Sequence, residues 1–469
     1  MEKNIPRFYL YRLTKFSLFH IAILVLFYQE RGLSFSQIMI LQSIYYFAKV
    51  LSEIPTGAWA DRVGRKKSLI LGSFFHSLAY LLIFFSHSLI LFILGEIIAG
   101  ISMSFAYGAD SALAYDTLKS LGRGDEYQKI EGNANSMRHL GFALFAPVGG
   151  LLATINLALP YLASSIGIFF SGLIALTLVE PPRDDANAGD SKLSEGMNHP
   201  SVSKDHKNVL YVILNEVKNL ISSIWYKFEI LRSAFGGAQN DISRRAHPIH
   251  TAGSIRQIRR KSYYEIQKSL GLLLGEKRIL WFVLFFSLIF LATRLGFWTY
   301  QPYMKQVGLP LSLFGVVLAF FHLFSALVSK YADKLERALK EKLTLFIMPL
   351  LVVISFVLLS RFLFLWSISF ILIQQMTTAI HEPVLKSYLN RRTPSEVRAT
   401  MLSVQHMAGN AAFAIFAPFL GSLVDRFHLE NALLIFALVI IIFSGLLWRY
   451  RIRWFKPTQI LLEPSQEET

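Results

Sequence analysis

The sequence predicts an all-α integral membrane protein with twelve transmembrane helices in two pseudo-symmetric six-helix bundles. Three observations lead to this fold class: 53% of the 469 residues are hydrophobic, only 17% are charged, and long apolar stretches recur along the chain. Soluble domains carry about 25% charged residues, so the composition argues against a soluble enzyme. The chain has no cysteine, which excludes a disulfide framework, a thiolate nucleophile and a Cys-ligated zinc site.

Twelve apolar stretches are long enough to cross a bilayer, and each should be helical because lipid offers no partner for a free backbone amide. We number them spans 1 to 12: 9–30, 37–60, 68–88, 90–116, 127–154, 157–179, 279–302, 309–331, 343–360, 362–388, 398–425 and 430–449. Span 1 has basic flanks like those of a signal peptide, but it lacks an A-x-A-like cleavage site. We therefore predict that span 1 stays in the protein as a transmembrane helix.

Lysine and arginine concentrate in alternate loops. The clusters Arg65–Lys67 and Arg391–Arg392 follow spans 2 and 10, whereas the intervening loops hold single cations such as Arg31 and Lys305. Basic loops stay on the cytoplasmic side of a membrane. We therefore predict that both termini are cytoplasmic.

A polar, basic insert divides the spans six and six. The predicted organisation is a first bundle at 1–180, a cytoplasmic insert at 181–277, a second bundle at 278–455 and a cytoplasmic tail at 456–469. Apolar residues within 210–224 and 263–274 follow helical spacing, which predicts amphipathic helices on the inner leaflet. A soluble regulatory or nucleic-acid-binding domain is the alternative, because basic residues cluster at 256–261.

The two halves of the chain repeat one another. Phe142-Ala-Leu-Phe-Ala-Pro147 in span 5 recurs as Phe413-Ala-Ile-Phe-Ala-Pro418 in span 11, and Gly150 corresponds to Gly421. Duplicated membrane halves usually place a binding site between them, near the bilayer midplane.

Charged residues inside the spans mark this predicted site: Glu96, Asp110, Arg138, Arg294 and Glu382. Charge in lipid is costly, so such residues normally face the protein interior or a water-filled cavity. Glu96 and Asp110 are fourteen residues apart, which predicts one stripe of a continuous span 4. Asp110 and Glu382 occupy equivalent positions in the two halves, so each half contributes one carboxylate.

These groups suggest substrate binding and proton coupling. A carboxylate in such a cavity could take up and release a proton. Arg138 could bind an anionic substrate or neutralise Asp110, and a static Asp110–Arg138 pair is the purely structural alternative. Asn135 lies near Arg138 on span 5, and Gln405 and His406 form the corresponding polar patch of span 11.

The strongest local motif is Gly57-Ala-Trp-Ala-Asp61-Arg62-Val-Gly64-Arg65-Lys66, between spans 2 and 3. It resembles the G-x3-D-[RK]-x-G-[RK]-[RK] signature of the major facilitator superfamily. A degenerate copy from Ser329 to Arg337, including Asp333, occupies the equivalent loop of the second half. The resemblance covers the whole chain except the insert. In span 5, Pro147 and Gly150 loosely match the G-P-x-x-G-G pattern of the drug–proton antiporter branch, whereas Glu96 stands where that branch carries arginine.

The resemblance implies a cytoplasmic gate that holds the two bundles in an outward-open state. The implied gate residues are Gly57, Asp61, Arg62, Gly64, Arg65, Lys66 and Asp333. Asp116, at the end of span 4, is the expected ionic partner of the gate cations. The resemblance also implies the plasma membrane of a bacterium, here the inner membrane, as location.

We therefore predict a monomeric secondary transporter that moves a small solute by alternating access, coupled to protons, in export of drugs or metabolites. Uptake of an anionic or sugar-like metabolite is the alternative, and a non-transporting sensor or scaffold on this fold is a second. Neither H-E-x-x-H nor G-x-S-x-G occurs, and an ATP-binding loop is missing, so no enzymatic activity is expected. The expected partners are the solute, protons and lipid, without cofactor, metal or nucleic acid.

Overall fold

Helices form every regular element of residues 1–182, 276–393 and 398–454, which are the residues that the computed structural model describes. The predicted amphipathic stretches of the insert and the tail at 456–469 lie outside these residues. Within them, the order of helices follows the predicted order of spans.

The first half contains eight α-helices, which build spans 1 to 6. Their bounds are Asn4–Lys15, Leu24–Glu30, Phe35–Val63, Arg65–Phe85, Leu89–Ala106, Ala109–Ser120, Tyr127–Ile155 and Leu159–Thr177. The second half builds spans 7 to 12 from five helical stretches. Their bounds are Lys277–Gln306, Leu311–Lys330, Ala332–Arg361, Ile371–Asn390 and Arg398–Trp454. The last stretch holds spans 11 and 12, because the backbone turns sharply at His428 within it.

Eight helical stretches among the described residues are long and apolar enough to cross a membrane, and one of them, Met401–Ile452, covers two spans. The remaining three spans are shorter or more polar. Span 1 is split into short helices, and spans 2 and 10 carry charged residues such as Lys49 and Glu382 within their helices. The described helices therefore account for all twelve predicted spans.

Two spans are not the continuous helices that the sequence predicts. Span 1 consists of Asn4–Lys15, a 3-10 turn at Phe19–Ala22 and Leu24–Glu30. Span 4 breaks at Gly108, whose positive φ of 82° favours glycine. Glu96 and Asp110 therefore lie on different helices, and the prediction of one shared stripe is wrong. Hydropathy reports the length of an apolar stretch and does not show whether its backbone is continuous.

We call the end of the spans that holds Asn4 and Trp454 the terminal face, and the opposite end the far face. Asn4 and Val179 exchange two hydrogen bonds of 2.8 and 2.9 Å, which tie the start of span 1 to the end of span 6. The first and last spans of this half therefore begin and end on the same face.

The repeated motif lies at equivalent contacts between the two halves. Phe142 of span 5 stacks on His322 of span 8 at 4.7 Å, and Phe413 of span 11 contacts Tyr46 of span 2 at 4.8 Å between ring centroids. Further toward the far face, the glycines of the repeat allow close approach of backbones. A Cβ on Gly150 would lie 3.0 Å from the Gly315 nitrogen of span 8.

Polar contacts also join the halves on the far side of the midplane. The Asp425 carboxylate of span 11 accepts hydrogen bonds from the backbone amides of Phe35 and Ser36 at 3.0 and 2.8 Å, at the start of the helix Phe35–Val63. Gln301 of span 7 bonds to the backbone of span 1 at Ile21 and Val25. Together with the glycine contacts, these bonds close the far face.

Candidate transport site

Charged side chains from both halves converge at mid-depth between the bundles. Lys49 is the fifteenth residue of the 29-residue helix Phe35–Val63, and Arg138, Arg294 and Glu382 likewise lie near the middle of their helices. Electrostatic attraction links Glu382 to Arg138 and to Lys49 across the halves. Arg294 is exposed and interacts with both Lys49 and Arg138. These four residues define what we call the central cavity.

Glu382 lies between two cationic or potentially cationic partners. Its Oε1 is 3.7 Å from Lys386 Nζ, one helical turn away, and 3.7 Å from His406 Nε2 of span 11. The Glu382 side chain is 46% exposed. A carboxylate with long, loose contacts can change partner without breaking a tightly packed network, which suits a group that binds a proton or a solute.

The three cavity cations lie over aromatic rings. The Arg138 guanidinium carbon is 5.8 Å from the Phe16 centroid, and that of Arg294 is 5.1 Å from the Phe290 centroid. Lys49 Nζ is 5.1 Å from the Tyr107 ring. Among the described residues, neither arginine forms an ion pair within 4.0 Å. The face of a phenylalanine ring gives each arginine a favourable contact.

The ionic partner of Asp110 is Arg12, so the static Asp110–Arg138 pair, which was the structural alternative, is not formed. Arg12 Nη2 of span 1 is 3.2 Å from Asp110 and 3.0 Å from Glu131 of span 5. Arg12 and Asp110 are both about one-tenth exposed. In the sequence, Arg12 is one of the basic residues near the start of span 1. The chain breaks at Gly108, and the new helix that begins at Ala109 places Asp110 beside Arg12. Asp110 is thus part of a buried cluster inside the first half.

Glu96 also lies inside the first half and not with the cavity residues. Its Oε1 accepts hydrogen bonds from the Tyr28 hydroxyl at 2.6 Å and from the Gln42 amide at 3.0 Å. Glu96 is only 6% exposed. Because two donors converge on one carboxylate oxygen, Glu96 holds spans 1, 2 and 4 together.

The remaining predicted cavity residues divide between exposed and buried positions. Asn135 is exposed, and His406 faces Glu382 with its ring 5.4 Å from that of Phe286. Gln405 is fully buried, and its amide oxygen and nitrogen have no hydrogen-bond partner among the described residues. Of the predicted set, the structure brings together Arg138, Arg294, Glu382 and His406.

The loop motif forms a compact turn on the terminal face. Gly64 has a φ of 122°, and a Cβ there would lie 3.2 Å from the Glu180 carboxylate. Glu180 accepts hydrogen bonds from the backbone amides of Arg65 and Lys66 at 2.8 and 2.7 Å, so it caps the helix Arg65–Phe85. Arg65 forms an ion pair with Asp116, as predicted.

The other motif residues occupy their expected elements. Gly57 lies in span 2, and Asp61 and Arg62 are exposed at its terminal-face end. Asp333 is the second residue of the helix Ala332–Arg361, and its side chain lies outside the described part. The gate role of these residues stays a prediction.

Several residues that organise the site were not among those predicted from the sequence. Lys49 lies within predicted span 2, four residues before Glu53, and that position was a sufficient signal. Lys386 also lies within predicted span 10, one helical turn after Glu382, and this spacing was a signal as well. For Glu180, Gln301 and Asp425 the sequence offers no signal, because their partners are backbone groups of distant helices.

Comparison with known proteins identifies the family. The family model described as Major Facilitator Superfamily matches residues 10–416. The chain belongs to the major facilitator superfamily. This assignment agrees with the twelve spans, the repeated halves and the turn at Gly64.

Its relatives in the superfamily are distant. Multidrug resistance protein 2 of Bacillus subtilis (strain 168) is 28% identical over 158 residues, which cover 33% of this chain and 36% of that protein. Quinolone resistance protein NorA of Staphylococcus aureus is 22% identical over 174 residues, which cover 37% and 44%. The alignments thus span less than half of either relative.

Among solved structures, a mutant of the nucleoside transporter NupG superposes with a TM-score of 0.68. It is 12% identical, and the match covers 96% of this chain and all of the other. At that identity the likeness shows the superfamily fold alone. The chain is a multi-pass membrane protein of a transporter superfamily.

Proposed function

We propose that the chain is a secondary active transporter, which moves a small solute by alternating access at the expense of the proton gradient. The observation that supports this is the central cavity, where Glu382 of one half and Arg138 of the other attract each other at mid-depth. Charge of this kind inside a membrane is characteristic of substrate and ion pathways. The halves on either side would rock about it.

The basic loops favour a cytoplasmic terminal face. With the far face closed by Asp425, Gln301 and the glycine contacts, the described conformation would then be inward-facing. In the opposite conformation the motif around Gly64 and Arg65 would close the terminal face, as the resemblance to the superfamily signature implies.

Proton coupling in this proposal depends on Glu382. Protonation of its carboxylate would remove the attraction to Lys386, His406 and Arg138, and would leave these groups to a solute. A proton bound to Glu382 would thereby favour the binding of an anionic solute at these cationic groups. Asp110 stays a predicted second coupling residue, and its pair with Arg12 would have to open first.

Export of drugs or metabolites is the favoured direction because both named relatives are resistance proteins. Uptake of an anionic metabolite is the second candidate, since Arg138 and Arg294 form no ion pair among the described residues. A fluorescent quinolone is a suitable first probe, because NorA is described as a quinolone resistance protein.

The test is solute flux in proteoliposomes that contain the purified chain and a trapped pH dye. We expect an imposed pH gradient to drive quinolone movement against its concentration gradient, with a matching change in internal pH. Glu382→Gln should abolish this movement yet preserve exchange of labelled for unlabelled quinolone. The control is Glu126→Gln, an exposed loop carboxylate. Coupled flux that survives Glu382→Gln would contradict the coupling assignment.

Flux without any pH dependence would instead identify a facilitator. If the quinolone fails, a panel of sugars, amino acids and organic anions is tested in the same vesicles. Absence of flux for every class would favour the sensor or scaffold alternative.

A further inference from the structure

Positive charge exceeds negative charge in the central cavity. Arg294 is within electrostatic range of both Lys49 and Arg138. Glu53 acts on Lys49, and Glu382 acts on Lys49 and Arg138. An excess cation at mid-depth of a membrane is costly unless another group compensates it. The described residues therefore leave part of this positive charge to be neutralised by something that enters the cavity.

The Glu382 carboxylate already has two other partners. Lys386 and His406 flank Glu382 at 3.7 Å, so Arg138 and Arg294 are not its first partners. The Nε of Arg138 is also buried and has no hydrogen-bond partner among the described residues. A guanidinium has five N–H donors in a planar fork that matches the oxygens of a carboxylate. Arg138 and Arg294 thus offer unused donors from opposite halves.

Aromatic rings accompany each of these cations. Phe16 lies under Arg138, Phe290 under Arg294 and Tyr107 under Lys49, at 5.1 to 5.8 Å. The stacked rings of Phe142 and His322 add an aromatic wall between spans 5 and 8. A ligand with an apolar or aromatic body could displace or extend these contacts while its charged end meets the guanidinium groups.

A cleft near the terminal face is basic as well. An open cleft of roughly 420 Å³ lies at the terminal-face ends of spans 10 and 11, and its lining includes Lys386, Arg391 and Arg398. Lys386 also contacts Glu382 of the central cavity. A concave surface of one sign raises the local concentration of ions of the opposite sign. The cleft therefore favours anions near Lys386, which contacts Glu382.

We propose that the central cavity binds solutes that join one anionic group, a carboxylate or its equivalent, to an aromatic body. Arg138 and Arg294 bind the anionic group from the two halves, Lys49 supports them, and the rings under these cations contact the body. This inference rests on the proposed function, since it names the substrate class of the same site. It also commits to anionic solutes over neutral and cationic ones.

Binding by isothermal titration calorimetry tests the proposal without any transport. The chain is held in nanodiscs of phosphatidylcholine and titrated with 2-naphthoate, its neutral amide 2-naphthamide and the cation 2-naphthylmethylammonium. We expect naphthoate to bind at least tenfold more tightly than either analogue, because hydrogen bonds between charged groups are the strong ones. Equal affinities, or preference for the cation, would overturn the proposal.

Matched variants locate the binding. Arg138→Gln and Arg294→Gln should each lower the affinity for naphthoate by roughly tenfold or more. The weak binding of the amide should stay unchanged. Lys305→Gln removes an exposed cation at the far-face end of span 7, the helix that carries Arg294, and should change nothing. Unchanged naphthoate affinity in both arginine variants would overturn the site assignment. Amide binding shows that each variant is folded.

A second arm uses nanodiscs with phosphatidylglycerol. If the anionic headgroup abolishes naphthoate binding, the cavity takes a lipid and the solute assignment is wrong; undiminished binding supports it. Failure of the proposed function has a different signature, since gradient-driven flux is measured in vesicles and anion selectivity is measured at equilibrium. Either result can be obtained without the other.

Discussion

The side chain of Gln301 in span 7 replaces a helical hydrogen bond that span 1 lacks at Val25. The Gln301 amide oxygen accepts from the Val25 nitrogen at 2.7 Å, and its nitrogen donates to the Ile21 carbonyl at 2.8 Å. Ile21 and Val25 are four residues apart, so in a continuous helix these two backbone groups would bond to each other. The break in span 1 is thus bridged by the opposite half of the protein.

Replacement of Gln301 should open the far face. Gln301→Ala leaves a backbone donor and a backbone acceptor without a partner, and each orphan costs about 1–3 kcal/mol in a buried site. We expect the ratio of far-face-open to far-face-closed molecules to rise tenfold or more. The chain has no cysteine of its own, so spin labels can be attached at His87→Cys and Arg361→Cys, one in each half. Electron paramagnetic resonance then measures the distance between the two labels across the far face.

The matched control for Gln301 is Gln306→Ala. Gln306 lies on the same helix and bonds to Glu430 at an exposed position, so water can replace its contact. Its label distances should equal those of the parent. A Gln301→Ala distribution that matches the parent would show that the bridge does not hold the far face closed.

Asp425 should stabilise the same conformation by a separate contact. Its carboxylate caps the start of the helix Phe35–Val63, where unpaired amides and the helix dipole favour an anion. Asp425→Ala is expected to cost about 0.5–2 kcal/mol and to open the far face, whereas Asp425→Asn keeps one acceptor and should have a smaller effect. Arg426→Ala, at the exposed neighbouring residue, is the control. Identical distances for the alanine and parent chains would argue against a gating contact.

Gly315 should tolerate no side chain in the described conformation. A Cβ on Gly315 would lie 1.9 Å from the carbonyl oxygen of Ala146 in span 5, and backbone atoms cannot move aside cheaply. We expect Gly315→Ala to prevent full closure of the far face and to reduce transport strongly. Gly421→Ala, where the nearest atom is at 2.8 Å, should act in the same direction but less.

Gly445→Ala is the control for both glycine variants, since nothing lies within 4 Å of a Cβ at that position. The measurements are the label distances across the far face and the initial rate of solute flux. Normal closure in Gly315→Ala would mean that spans 5 and 8 separate more easily than their packing indicates.

Arg12 should be essential for stability and not for solute recognition. Arg12→Met removes the cation that neutralises Asp110 and Glu131, and breaking a buried ion pair costs about 3–5 kcal/mol. We expect a large drop in the denaturation midpoint, which the double variant Arg12→Met with Asp110→Asn should partly restore. Arg123→Met, in an exposed pair with Glu126, should leave the midpoint unchanged.

A midpoint for Arg12→Met close to that of the parent would show that water reaches the Asp110 cluster. In that case Asp110 would become a stronger candidate for proton coupling, and its effect on gradient-driven flux would decide the matter.

The sequence by itself determined the number and order of the spans. In any membrane fold, about twenty apolar residues form a transmembrane helix and a basic loop stays on the cytoplasmic side. The sequence also revealed the internal repeat, whose position between the halves the structure then showed. The repeat around Phe142 and Phe413 lies at equivalent contacts, and the turn at Gly64 has the backbone conformation that the motif predicts. These are local or periodic properties, which neighbouring residues encode.

Only the tertiary structure decided which charges meet. Asp110 and Glu382 occupy equivalent positions in the repeat, yet one pairs with Arg12 inside a bundle and the other faces His406 and Arg138 in the cavity. The break at Gly108 and the rotation of each helix about its axis give these two carboxylates different surroundings. Rotation depends on packing against distant helices, so no pattern along one helix reveals it.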